Sequence, residues 1–259
     1  MDEGNWFVGI NPLANLVGVL ISIPASEKMG RKPVFVVSNI LSILGYLLMY
    51  FAPSFLLLVL GGVTQCLGMG LGSMCPIMLL SEISIVKLRG PLTGVSQTSA
   101  CVGQLMAASL CIFLPMEYLS LVLAGHSFLV IVLMVFVPES PQWLVRKGKE
   151  EDAIKSIKTL RGKKYPGVDM EIIEIRTCVK ERDSISKGSA FGALKTRSFT
   201  TPLLVFTVIF MILGTSGIDT ILFYGPTIFA SIDIGIPTSV LSTLPWIGFS
   251  IGYAGKHNR

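Results

Sequence analysis

The sequence predicts an all-α, polytopic membrane protein with about seven transmembrane helices and a cytoplasmic helical insert. Three observations carry this. The 259-residue chain is 51% hydrophobic and only 14% charged, against about 25% charged in a soluble domain. Seven stretches are apolar and long enough to cross a bilayer: 5–26, 33–51, 54–80, 91–115, 118–137, 202–232 and 238–254. All 21 Lys and Arg fall on one side of the resulting path. The positive-inside rule makes that side cytoplasmic, with the N-terminus outside and the C-terminus inside. A missed or extra span would scatter these charges onto both sides.

Each turn supports the path. The first span ends in Glu27-Lys28-Met29-Gly30-Arg31-Lys32, a tight basic turn. The next turn, Ala52-Pro53, is uncharged. Lys87 and Arg89 follow the third span, and only Glu117 marks the turn after the fourth. Pro138 and Pro141 stop the fifth, because neither proline continues a helix. The insert then holds fourteen Lys and Arg, the Asp233 turn has none, and Lys256 and Arg259 follow the last span. The implied division is a five-span bundle over 1–143, a cytoplasmic linker over 144–198 and the start of a second bundle over 199–259.

The insert reads as amphipathic helices. Glu150-Glu151-Asp152 make an acidic first turn. Ala153, Ile154, Ile157 and Leu160 form an apolar stripe, closed by Arg161-Gly162-Lys163. A second helix is expected near 170–180, with Ile172, Ile173, Ile175 and Val179.

Several functions find no support. The net charge of +5 comes without basic patches interleaved with aromatics, so no nucleic-acid partner is implied. The five cysteines have no metal spacing, and four lie in apolar runs where Cys acts as a small hydrophobe. No nucleophile–base pair, cofactor fingerprint or metal cluster is present, which speaks against an enzyme. His126, inside an apolar span, reads as a packing residue. The partners implied are the bilayer and a small molecule; oligomeric state is open.

Polar residues inside spans are the candidate site. An amide in hydrocarbon needs a partner. Gln97 and Gln104 are seven apart and share one helical face, which should look into the bundle. Interhelical hydrogen bonding is the alternative to a ligand contact. Asp219 is the only carboxylate inside a span. Such a residue is functional by default, although pairing with a neighbour would also satisfy it. Gly214, Gly217 and Gly225-Pro226 would let its helix break near the midplane.

Three motifs, in order, carry a family resemblance: Gly30-Arg31-Lys32, then Pro76…Glu82…Arg89-Gly90, then Pro138-Glu139-Ser140-Pro141-Gln142-Trp143-Leu144. Together they resemble the sugar porters of the major facilitator superfamily, most closely insect facilitated trehalose transporters. The match covers the family's second to eighth helices of twelve. It implies a partial major facilitator fold at the plasma membrane. It also implies transport of a hexose or a disaccharide such as trehalose, by alternating access and facilitated diffusion. Gln97, Gln104, Ser216 and Asp219 would contact substrate. Glu27, Arg31, Lys32, Glu82, Arg89, Glu139 and Arg146 would form the network that gates the cytoplasmic side, with Glu82 paired to Arg89 or to Arg31. Gly62 and Gln142 stand where the family has Arg, and the glutamines of the seventh helix are absent.

Two other readings stand beside this one. A seven-helix receptor would share the topology, but it has no reason to carry the three motifs. A degenerate, non-transporting family member would carry all of them. The abrupt ends, with acidic Met1-Asp2-Glu3 outside and no leader, add the expectation that these residues alone do not transport.

Overall fold

The structure is a computed structural model that describes residues 2–85, 88–162, 166–187 and 197–215. The regular elements among the described residues are all helices: α1 Asp2–Met29, α2 Arg31–Tyr50, α3 Phe55–Gly72, α4 Cys75–Ile83, α5 Arg89–Phe113, α6 Met116–Phe136, α7 Pro141–Arg146, α8 Glu150–Arg161, α9 Val168–Lys187 and α10 Arg197–Thr215. Among the described residues, four segments are long and apolar enough to span a bilayer: Gly9–Met29, Arg31–Tyr50, Phe55–Ile83 and Glu117–Phe136. α5 is long enough at 25 residues, but its Gly, Ser, Thr and Gln content makes it more polar. The expected span 238–254 lies outside the described residues.

Contacts divide the chain into two compact units, Met1–Ser96 with Leu114–Arg176, and Gln97–Phe113 with Thr177–Arg259. In the first, α3 packs between α1 and α2, and α6 packs on the other side of α2. Glycine makes this packing possible. Lipid supplies no hydrophobic drive between helices, so membrane helices associate by close backbone approach at small residues. Gly61, Gly62, Gly68, Gly70 and Gly72 are all buried on α3. A Cβ on Gly45 of α2 would lie 2.6 Å from the Gln65 amide nitrogen, and one on Gly70 would strike the Asn15 carbonyl of α1.

Three local features differ from the sequence reading. The stretch 54–80 is two helices rather than one. It breaks at Ser73-Met74, because Pro76 at the start of α4 has no N–H to continue the ladder. The prolines after α6 do more than stop it. Ser140 caps a new short helix, accepting the Trp143 N–H at 3.3 Å, and Pro141 occupies its first turn, where an N–H would be unused. His126 is exposed on α6, not a packed core residue.

The insert builds a small core of its own. Ala153 and Ile157 of α8 are almost fully buried against Trp143, Leu144 and Val145 of α7 and Val168 and Ile172 of α9. Gly162, at φ +97°, ends α8 as expected. α9 runs longer than the expected 170–180, from Val168 to Lys187.

Candidate functional site: a charged network at the helix ends

The junction between α1 and α2 is a single residue, Gly30, at φ +104°. That backbone is strained for any side chain, and a Cβ there would also sit 2.5 Å from Glu139 Oε2. The turn throws Arg31 inward, where only 3% of it is exposed. Its Nη2 donates to Glu82 Oε1 at 2.8 Å, and the two side chains are 4% and 8% exposed. Its Nη1 donates to the Ser26 carbonyl at 3.2 Å, at the end of α1. One guanidinium thus ties α1, α2 and α4 together.

Glu139 sits opposite, beyond the end of α6. Its Oε1 accepts the Arg31 N–H at 3.2 Å and the Ser140 N–H at 2.9 Å, and its Oε2 accepts the Lys32 N–H at 3.2 Å. These are first-turn amides of α2 and the cap of α7, donors that a helix cannot satisfy internally. The rest of the α2 end is accounted for as well: the Gly30 N–H donates to the Ser26 carbonyl, and Pro33 has no N–H. A carboxylate at two helix starts also faces their positive dipole ends.

Lys32 works at the other helix pole. Its Nζ donates to the carbonyls of Val137 at 2.8 Å and Val135 at 3.2 Å, satisfying the C-terminus of α6. The insert is latched to the same cluster. Trp143 Nε1 donates to the Glu27 carbonyl at 3.1 Å, and the buried Ser156 hydroxyl of α8 donates to the Glu139 carbonyl at 2.7 Å. Arg146 and Glu27 stand 3.8 Å apart in an exposed pair, with Lys28 and Lys147 beside them. Replacing Trp143 with Phe removes one hydrogen bond while keeping the ring, and lowers stability by about 1 kcal/mol. A melting experiment with hydrogen exchange across α8 checks this, with faster exchange there as the expected mark of a loosened latch.

Six of the seven expected gating residues therefore converge: Glu27, Arg31, Lys32, Glu82, Glu139 and Arg146. Arg31, not Arg89, takes Glu82. Arg89 begins α5 and makes no ion pair among the described residues. Glu82 Oε2, Arg31 Nε and Arg89 Nε are buried without partners there. Gln97 and Gln104 lie on α5 within the second compact unit, and both are exposed. Ser216 and Asp219 lie outside the described residues. Two contributors escaped the sequence reading. Ser156 gives no signal in an amphipathic helix, but Ser140-Pro141 is a legible cap followed by a first-turn proline.

The bundle has the fold of solved transporters of the major facilitator superfamily. A solved structure of the proton:xylose symporter XylE bound to 6-bromo-6-deoxy-D-glucose aligns with a TM-score of 0.68 at 20% identity, covering 88% of this chain and 54% of that one. A double-tryptophan XylE mutant aligns with a TM-score of 0.76 at 19% identity, covering 95% and 56%. The chain belongs to the sugar transporter family: the profile described as "Sugar (and other) transporter" matches residues 3–251. Among curated relatives, sugar transporter ERD6-like 6 of Arabidopsis thaliana is 29% identical, over 90% of this chain and 48% of its own length. The facilitated trehalose transporter Tret1-2 homolog of Drosophila simulans is 27% identical, over 97% and 52%. The chain spans about half the length of the curated relatives it matches. It is an integral membrane protein of a transporter family, not an enzyme.

Proposed function

We propose that these residues form part of a sugar porter that moves a hexose or a disaccharide such as trehalose across the plasma membrane. Transport is by alternating access and facilitated diffusion. The observation that carries the reading is the buried Arg31–Glu82 pair with Glu139 capping α2, on a chain whose family match runs from residue 3 to 251. Such a cluster closes one face while intact and opens it when broken, as interface ion pairs do in switching proteins. Gln97 and Gln104 take substrate hydroxyls from α5, joined by Ser216 and Asp219. Residues 1–143 form the first bundle, 144–198 the cytoplasmic linker and 199–259 the start of the second. The N-terminus of the chain lies outside and its C-terminus inside. The trehalose porters among the relatives support the sugar class.

Because the chain matches half of its relatives' length, the test is a chimera. Residues 1–259 replace the matched half of the Drosophila simulans trehalose transporter homolog, in a host deficient in sugar uptake. Saturable uptake from a panel of radiolabelled sugars, equal at two pH values, is expected. Gln97→Ala should lower it about tenfold at unchanged surface expression, the loss of one hydrogen bond to a charged or multiply bonded site. A chimera at the surface that moves none of the sugars refutes the reading. Cysteine labelling adds a second check: residues 147–195 should react only after permeabilisation.

A further inference from the structure

We propose that the groove between α2, α4 and α6 holds one acyl chain of a phospholipid, whose phosphate is bound by Lys32. The groove is about 210 Å³ and is lined by Phe35, Leu79, Leu80, Ile83, Met134 and Val137. An apolar cavity of about 150 Å³ already accommodates a small hydrocarbon. The groove is open, and beside it Val135 and Phe136 are 70% and 77% exposed, so its rim continues onto exposed apolar surface among the described residues. Polar chemistry is confined to one end. Lys32 lies one helical turn before Phe35, and its Nζ is held by the carbonyl of Val137, itself a lining residue. An ammonium has three N–H donors. Two are used by Val135 and Val137, and no described residue takes the third.

The arrangement is an apolar groove with the Lys32 ammonium held beside one of its lining residues, Val137, which matches the order of chain and phosphate in a phospholipid. Glu139 accepts the amides of Arg31, Lys32 and Ser140 and makes no ion pair with the Lys32 ammonium among the described residues. The headgroup beyond the phosphate finds no partner on the groove, so phosphate and chain together define the ligand. A lipid seated here would brace the helix pair that carries the Arg31–Glu82 lock.

The test uses the 259-residue chain in detergent and native mass spectrometry during titration with palmitoyl-oleoyl-phosphatidylcholine. One phospholipid should be retained more strongly than all others. Leu80→Trp, which fills the slot, should abolish that first adduct. Lys32→Gln should weaken it about tenfold, the effect of losing a charge-assisted hydrogen bond. Leu20→Trp, on the exposed face of α1, should leave it unchanged. Dioleoylglycerol, which has the chains without the phosphate, should not be retained. Melting without lipid confirms that each variant is folded, and Ile83→Trp replaces Leu80→Trp if the latter is not. Equal retention by the wild type and the slot-filling variant, or retention of diacylglycerol as strong as that of phosphatidylcholine, overturns the proposal.

Discussion

Arg31→Met should destabilise the bundle by about 3–5 kcal/mol, because it leaves Glu82 charged, buried and without its ion-pair partner among the described residues. The Ser26 carbonyl loses one of its two donors in the same step and keeps the Gly30 N–H. Thermal unfolding in detergent reads this directly. The double variant Arg31→Met with Glu82→Leu should recover most of the loss, since a buried ion pair is often no more stable than a well-packed apolar pair of similar volume. That recovery separates the penalty of an orphaned charge from simple loss of packing. A single variant as stable as wild type would mean that water reaches Glu82 and that the pair is not sealed.

Gly70→Leu should have an effect of comparable size by a different route. Its Cβ would collide with the Asn15 carbonyl on α1 and approach the Val19 nitrogen at 3.0 Å. Both are backbone atoms, which cannot rotate away as a side chain can. Overpacking usually costs about 1–3 kcal/mol when side chains can shift; here α1 must leave α3. Gly125→Ala on α6 is the control, because nothing lies within 4 Å of a Cβ there. Helix propensity alone predicts that it stabilises, by up to about 1 kcal/mol. Size-exclusion profiles and melting curves distinguish the outcomes, and a Gly70→Leu protein that elutes and melts like wild type would contradict the close packing.

What could be seen in the chain depended on how local each feature is. The second span was expected at 33–51 and is Arg31–Tyr50, because apolar content and a basic turn are written in consecutive residues. The same holds for α8, whose acidic start and glycine end lie twelve residues apart. The network is different. Arg31 and Glu82 are 51 positions apart, and nothing local says which of two arginines Glu82 chooses. Geometry decides, since Arg31 is thrown inward by the left-handed Gly30 while Arg89 starts a helix of its own. Ser156 shows the limit most clearly. Its hydroxyl meets a carbonyl that exists as a free acceptor only because Pro138 and Pro141 interrupt the chain on either side of Glu139. On α5, spacing places Gln97 and Gln104 on one face, and both are exposed among the described residues.

The capping of α2 has a consequence for how the protein is made. The carboxylate that completes this helix is supplied 108 residues later than the amide it accepts. A ribosome adds about 5–20 residues per second. Between the appearance of Arg31 and that of Glu139, on the order of ten seconds pass in which the start of α2 has no cap. The Arg31 guanidinium can meet Glu82, which appears 51 residues after it, within that interval; only the amide waits for Glu139. The charged end is therefore assembled in two stages in chain order: the ion pair becomes possible once α4 exists, and the cap of α2 only once the segment after α6 has been made.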